Sequence, residues 1–150
     1  MKINGVEIGP GALLSNADLS GQDLTGADLT GARLDGARLR GCILSGADLR
    51  KADFSGADLS GAIVGGSNLS QAGLRGALLR GSDLTGSILA QADLQGADLA
   101  GANLLGVNLD RCRLSGANFQ GAVLLEAYLG EADFSDCKMN GAILADEPGN

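Results

Sequence analysis

Residues 17–31 read ADLSGQDLTGADLTG, and the same five-residue unit continues along most of the chain. From Leu14 to Leu144 every fifth residue is large and apolar, without a break in the frame. A period of five does not fit an α-helix, which turns about 100° per residue, nor a straight strand, in which side chains alternate between two faces. Each unit must therefore contain a short extended piece followed by a bend.

The positions within a unit have different predicted roles. The large apolar position is called the centre; a small residue such as Ala27 lies two residues before it, and Gly, such as Gly31, most often lies two residues after it. In an extended triplet the small residue and the centre share a face, so both should point inward and the residue between them outward. The Gly after the centre indicates a turn with positive φ.

The exceptions to the unit indicate how many units make one coil. The position two after the centre is most often Gly, and five of the exceptions lie 20 residues apart, namely Lys51, Gln71, Gln91, Arg111 and Glu131. A coil of four units stacks these residues in one column, with Gln71 beside Gln91, whereas a coil of three would scatter them. Because a Cβ disfavours positive φ, we expect this corner to turn with negative φ. The sequence thus predicts an all-β solenoid of about seven 20-residue coils.

At this point the chain resembles the pentapeptide-repeat family, whose motif A-(D/N)-L-x-x matches residues 12–146. The resemblance implies a right-handed quadrilateral β-helix, with the central Leu or Phe and the small residue inside. Residues 1–11 break the frame and are expected to cap the first coil, and residues 147–150 form a short tail. Residues 1–150 are accordingly predicted to be a single pentapeptide-repeat domain.

Composition argues against catalysis and against bound cofactors. The formal charge is −7 and there is no His, so a Ser–His–Asp or Cys–His arrangement is impossible. No Walker-type loop occurs, and the C-terminal acidic residues lack the spacing of a Ca²⁺ loop. Cys42, Cys112 and Cys137 occupy small inward positions and are interpreted as buried packing residues. We therefore expect no enzyme activity, no cofactor, no metal site and no disulfide.

Membrane insertion and direct nucleic-acid binding are also not expected. No apolar run reaches the ~18 residues of a membrane span, and the first residues lack the apolar core of a signal peptide, so a cytoplasmic location is the expectation. Basic and acidic residues are mixed along the chain and aromatics are scarce. We expect Arg33, Arg38 and Arg113 to lie beside carboxylates of neighbouring coils.

Two functions compete. The repeat favours a non-catalytic scaffold, a rigid rod that presents flat faces to a protein partner. The alternative comes from the family resemblance, since some pentapeptide-repeat proteins mimic duplex DNA, bind DNA gyrase or topoisomerase and confer quinolone resistance. Size and negative charge agree with mimicry. The Arg residues that interrupt the acidic columns, and the predominance of Leu over Phe at the centres, disagree with it.

One predicted face collects outward apolar residues, and we interpret it as an interaction surface. The residues are Ile43, Ile63, Leu105, Val123, Leu125 and Ile143. In adjacent coils they would form a patch of roughly a few hundred Å². A stable interface needs ~800 Å² per partner. The hypothesis is therefore that this third face and the C-terminal coil act together, either in a homodimer or in binding another protein.

Overall fold

The computed structural model describes residues 1–145. Most of these residues form a right-handed quadrilateral β-helix, as predicted. The helix is preceded by a hairpin of two short antiparallel strands, β1 (Lys2–Ile3) and β2 (Val6–Glu7). Ile3 packs against the core of the first coil, and Ile8 is buried in it. From residue 13 onward, the described residues pair through single parallel bridges instead of long strands.

Each coil contains 20 residues. The parallel bridges join residues 20 apart, as in Asp18 with Arg38 and Ile43 with Ile63. At the corner column identified from the sequence, Gln71 Nε2 donates a hydrogen bond to Gln91 Oε1 at 3.0 Å. The prediction of four units per coil is confirmed.

Backbone hydrogen bonds hold the coils together at almost every unit. The N–H of a centre donates to the carbonyl of the outward residue in the next coil, as Leu44 does to Ile63 at 2.7 Å. The N–H of that outward residue donates back to the small residue below, from Ile63 to Cys42 at 2.9 Å. A third bond closes the corner, from Ala47 N–H to the Leu44 carbonyl at 3.0 Å. Most buried backbone groups are thereby paired, although among residues 1–145 no strand is longer than two residues.

The core is a single column of inward side chains. Every centre from Leu14 to Leu124 is at most 3% exposed, and the small residues between them pack in the same interior. A cavity of about 10 Å³ runs among the centres between Leu49 and Leu99. A space of that size is at the lower limit for one water molecule, so this cavity offers no room for a ligand.

The predicted corner geometry is wrong. Lys51, Gln71, Gln91 and Arg111 have φ values of 60°, 60°, 62° and 58°, close to those of the Gly residues at the other corners. Glu131 is not among the residues with positive φ. The left-handed conformation costs an L-residue about 1–2 kcal/mol. The stacked backbone ladder fixes where each corner must turn, and its hydrogen bonds on both sides outweigh that cost.

The ladder opens on the first face of the last coil. Leu94 N–H donates to the Arg113 carbonyl at 2.8 Å, but one coil later Leu114 N–H has no hydrogen-bond partner among residues 1–145. Gly130 takes positive φ one position earlier than the usual corner residue, and Gly116 N–H donates to the Asp136 carbonyl, one residue beyond the regular partner. This displaced register leaves a cleft of about 450 Å³.

Candidate protein-interaction face

The faces are numbered in chain order, so that the outward residues Leu13, Asp18, Asp23 and Asp28 begin the first to fourth faces. The third face continues through the outward residues Ile43, Ile63, Asp83, Asn103, Val123 and Ile143. Its corner column includes Leu105 and Leu125, which lie in adjacent coils because Gly106 N–H donates to the Leu125 carbonyl at 2.9 Å.

The structure places the six predicted interaction residues in two groups on this face. Ile43 and Ile63 are bridge partners near the N-terminal end. Val123 and Ile143 are bridge partners near the C-terminal end, beside the corner residues Leu105 and Leu125. Asp83 and Asn103 separate the two groups. Ile63 and Ile143 are 43% and 45% exposed, and the other four are half-buried.

Exposed outward aliphatic residues on the second and fourth faces are isolated. Leu78 on the second face is bridged by Asp58 and Asp98. Ile88 on the fourth face is bridged by Asn68 and Asn108. Both are exposed to a similar extent as Ile63, at 42% and 39%. Among the described residues, therefore, the third face is where outward aliphatic side chains meet one another.

The outward Asp and Asn residues cap the corners that follow them. Asp83 Oδ1 accepts hydrogen bonds from Thr85 N–H at 3.0 Å and from Thr85 Oγ1 at 2.6 Å. Asn103 Oδ1 accepts from Leu105 N–H at 3.1 Å. Asp and Asn favour such turns because their short side chains reach the backbone two residues on. Sequence reasoning treated this position only as solvent-facing, although the recurrent Asp-x-Ser/Thr pattern is a visible signal of the capping role.

Ion pairs join charges on the first, second and fourth faces. Arg75 lies 2.7 Å from Asp93 of the next coil, Arg40 pairs with Asp58 at 3.4 Å, and the Arg80 side chain contacts Asp98. On the fourth face Arg50 pairs with Asp48 of its own unit at 2.6 Å. The next coil, which supplies the carboxylate for Arg40 and Arg75, offers Arg50 only the amide of Asn68, and Arg50 pairs within its own unit.

Each of the three arginines adjoins an Asp of a neighbouring coil, as predicted, with the bridge pairs Arg33–Asp53, Asp18–Arg38 and Asp93–Arg113, but among residues 1–145 only Arg38 forms an ion pair with that neighbour. Arg38 lies 3.6 Å from Asp18 of the neighbouring coil, as expected. Arg33 instead lies 3.9 Å from Asp35 of its own unit, and Arg113 has no ion pair within the described range. Arg113 faces the cleft at the opened part of the ladder. The segment that carries Asp133, its expected neighbour on the C-terminal side, is displaced there.

The third face has a different charge pattern. Within the range described, it carries Asp23, Asp83 and Glu126 but no Lys or Arg, and none of its carboxylates is in an ion pair. Hydrogen bonds from Thr25 lower the pKa of Asp23 below its ordinary value, with the larger effect from the Thr25 hydroxyl and the smaller from its N–H. This carboxylate is therefore charged at neutral pH. The predicted mixing of basic and acidic residues is therefore not found among the described residues of this face.

The last coil leaves apolar side chains half exposed. Leu129, Phe134 and Met139 pack against the core on one side, and Leu144 is 41% exposed. The rings of Phe119 and Phe134 lie 5.3 Å apart between the last two coils. The expected tail falls outside the described residues. The half-exposed centres adjoin the C-terminal group of the third face, where Val123 and Ile143 lie.

The cysteines and acidic residues form no reactive or metal-binding cluster in the part of the chain that the structure describes. Burial raises the pKa of the Cys42 and Cys112 thiols to about 12, so both are protonated at neutral pH. Burial also raises the pKa of Cys137. The described range contains no helix that could cross a bilayer.

Family comparison matches almost the whole coil region. The model for pentapeptide repeats matches residues 11–41, 32–71, 67–106, 77–116 and 108–146, in 8 copies. The chain is a member of the pentapeptide-repeat family. Among curated proteins it has no match.

Two solved pentapeptide-repeat proteins have similar structures. HetL, involved in heterocyst differentiation regulation in the cyanobacterium Nostoc sp. strain PCC 7120, is 35% identical with a TM-score of 0.51, covering 91% of this chain and 72% of HetL. A trypsin-treated variant of QnrB1, a plasmid-mediated fluoroquinolone resistance protein, is 22% identical with a TM-score of 0.54, covering 98% of this chain and 89% of that protein. At that identity the likeness to QnrB1 is one of fold alone.

Proposed function

We propose that this pentapeptide-repeat protein is a non-catalytic scaffold that binds a protein partner through its third face. Members of the family are generally non-catalytic. The observation that carries the proposal is the pairing of outward aliphatic residues in adjacent coils, Ile43 with Ile63 and Val123 with Ile143. Single surface aliphatics are normal, whereas contiguous apolar patches mark interaction sites.

The geometry of the rod supports this proposal. Seven coils at about 4.8 Å each give a face roughly 30 Å long, enough for an interface of ordinary size. The corner bonds and the inter-coil ladder make that face rigid, so little conformational entropy is lost when a partner binds. The half-exposed side chains of Leu129 and Met139 extend the apolar surface beyond the C-terminal group.

The test compares two double variants of equal charge. Val123→Lys with Leu125→Lys places two cations within the C-terminal group, and Leu78→Lys with Ile88→Lys places two at the isolated positions. Each protein is used to capture partners from the native host. We expect the first variant to lose a partner that wild type and the second variant retain. If both variants retain every partner, the third face has no binding role.

Self-association is one form that this binding can take. A homodimer through the third face and the C-terminal coil would make the measured mass of wild type increase with concentration in light scattering. The Val123→Lys with Leu125→Lys variant would then stay a monomer. A wild type that is monomeric at every concentration excludes the homodimer and leaves a different protein as the partner.

Gyrase binding through DNA mimicry is the competing proposal, and the net charge of −7 favours it. Against it, arginines neutralise much of the first and second faces, and aliphatic residues lie between the carboxylates of the third face. A supercoiling assay with purified gyrase distinguishes the two. We expect no inhibition at micromolar protein, and inhibition there would replace the scaffold proposal.

A further inference from the structure

We infer that the partner of the third face is a protein surface on which Lys or Arg side chains alternate with aliphatic ones. This inference rests on the proposed function and adds the chemistry of the partner. It follows from the position of the unpaired carboxylates of the third face relative to its aliphatic residues.

Each carboxylate on this face adjoins an aliphatic side chain. Asp23 is the bridge partner of Ile43, and Asp83 is the bridge partner of Ile63. Glu126 directly follows Leu125. A partner that covers the aliphatic residues must therefore also exclude water from the carboxylates. Burying an unpaired charge is strongly unfavourable, so a partner that binds here has to supply cations.

The protein itself does not supply those cations. Arg40, Arg75 and Arg80 are engaged by carboxylates on the first and second faces, and Arg50 is engaged on the fourth. Within residues 1–145 the third face has neither Lys nor Arg. Its three carboxylates lie in the first, fourth and sixth coils, so their spacing along the rod is roughly 14 Å and 10 Å.

Glu126 is an L-residue at a corner position that is Gly in the preceding coils. Its φ is 59°, in a corner column where the preceding coils place Gly26, Gly46, Gly66, Gly86 and Gly106. Gly adopts this conformation without strain, whereas Glu does not. Glu126 makes no ion pair within the described residues that would compensate for the strain. The ladder imposes the same conformation at Lys51 and Gln71, so the observation that bears on binding is the unpaired carboxylate that this corner residue adds beside Leu125.

The charge pattern of the third face also argues against two other occupants, a second copy of this protein and a nucleic acid. Two copies of the third face stacked on each other would bury carboxylates of both copies, and within residues 1–145 neither face supplies a cation. A nucleic acid requires cations from the protein, and the described part of this face has none. The occupant is therefore a different protein that is cationic and aliphatic at its contact surface.

The test uses a synthetic probe, a twelve-residue peptide that repeats Lys-Lys-Leu-Leu, so that each face of the extended peptide presents both Lys and Leu, titrated into the ¹⁵N-labelled protein. One control peptide replaces Leu by Ser, and a second replaces Lys by Glu. We expect only the Lys–Leu peptide to shift third-face resonances. Its affinity should fall about tenfold when salt rises from about 50 to 300 mM, because exposed charge pairs are screened.

A matched pair of variants separates local recognition from net charge. The first variant carries Asp23→Asn, Asp83→Asn and Glu126→Gln on the third face. The second carries Asp28→Asn, Asp53→Asn and Asp133→Asn, whose carboxylates lie elsewhere and are not in ion pairs. Each removes three charges, and each substituted Asn keeps the Oδ1 that caps the corner, as Asn103 does.

The expected result is an affinity loss of about tenfold or more for the first variant and less than about threefold for the second. Equal losses would mean that the peptide senses only net charge, and the inference would be wrong. Binding of the Lys–Ser peptide as tight as that of the Lys–Leu peptide would also overturn it. If the partner captured from the host depends on Val123 and Leu125 but not on the three carboxylates, the proposed function stands and this inference fails.

Discussion

Gln71 donates a hydrogen bond from Nε2 to Oε1 of Gln91, 3.0 Å away in the next coil, and both residues hold φ near +60°. One exposed hydrogen bond contributes about 1 kcal/mol. The left-handed conformation costs each residue about 1–2 kcal/mol. The bond therefore does not offset the strain of both residues, and the corner is held in this geometry by the backbone ladder around it.

The same strain predicts the effect of removing the side chain of Lys51. Its φ is 60°, and it makes no side-chain hydrogen bond or ion pair with residues 1–145. Lys51→Gly should raise the free energy of unfolding by about 0.5–1 kcal/mol in urea denaturation, because relief of strain exceeds the added freedom of the unfolded chain. A loss of stability would contradict this assignment of the strain.

The control for Lys51→Gly is the reverse substitution at another corner. Gly81 has φ of +63°, and a Cβ built on it meets nothing within 4 Å. Gly81→Ala should therefore lower the free energy of unfolding by about 1 kcal/mol through backbone strain alone, without a steric clash.

The capping role of the outward carboxylates predicts a difference between two substitutions at Asp83. Asp83→Ala removes the acceptor of the Thr85 N–H and hydroxyl, and should lower the free energy of unfolding by about 1 kcal/mol. Asp83→Asn keeps Oδ1 and should change it by less than about half of that. Equal losses in the two variants would mean that the charge, and not the cap, stabilises the corner.

Arg50 and Asp48 predict a pH dependence of stability. Hydrogen bonds from the Arg50 side chain are the main cause that lowers the pKa of Asp48 to about 2. Because the folded-state pKa lies below the unfolded one near 4, this contribution to stability is present above about pH 4 and is lost as pH falls towards 2. NMR titration should show the pKa of Asp48 rising in Arg50→Gln, and urea titrations should show a shallower loss of stability across that window. An unchanged pKa would contradict the role of the pair.

The architecture could be predicted from the sequence because a strict period leaves few solutions. Spacing of Lys51, Gln71 and Gln91 by 20 residues required four units per coil, which the Gln71–Gln91 contact confirms. The corner φ values were mispredicted because the φ preference of each residue was considered without its neighbours in the column. A solenoid imposes the same turn on every corner of a column, so collective pairing overrides the preference of one residue.

Two other features were visible in the sequence but were not predicted. The opened part of the ladder has a local signal, since Gly130 comes one position early and Asp136 replaces the Gly of its column. The charge asymmetry of the third face is visible only when charged residues are compared face by face. Along the chain as a whole, basic and acidic residues are mixed, which conceals it.

The opened ladder predicts unequal hydrogen exchange at equivalent positions. Leu94 N–H is bonded to Arg113 at 2.8 Å, whereas Leu114 N–H has no partner among the described residues. The Leu114 amide should therefore exchange at least about a hundredfold faster than that of Leu94, in line with the low opening energy of weakly paired segments. Equal protection of the two amides would show that the last coil is fully paired in solution.

Binding of a protein partner by the third face can be measured residue by residue with cross-saturation NMR. The protein carries labelled Ile, Leu and Val methyl groups, and its partner captured from the host is irradiated in the complex. If the third face is the binding surface, the methyl signals of Ile63, Val123, Leu125 and Ile143 lose intensity. The methyl signals of Leu78 and Ile88 do not. Loss of intensity at Leu78 or Ile88, with the third-face methyl groups unaffected, would contradict binding through the third face.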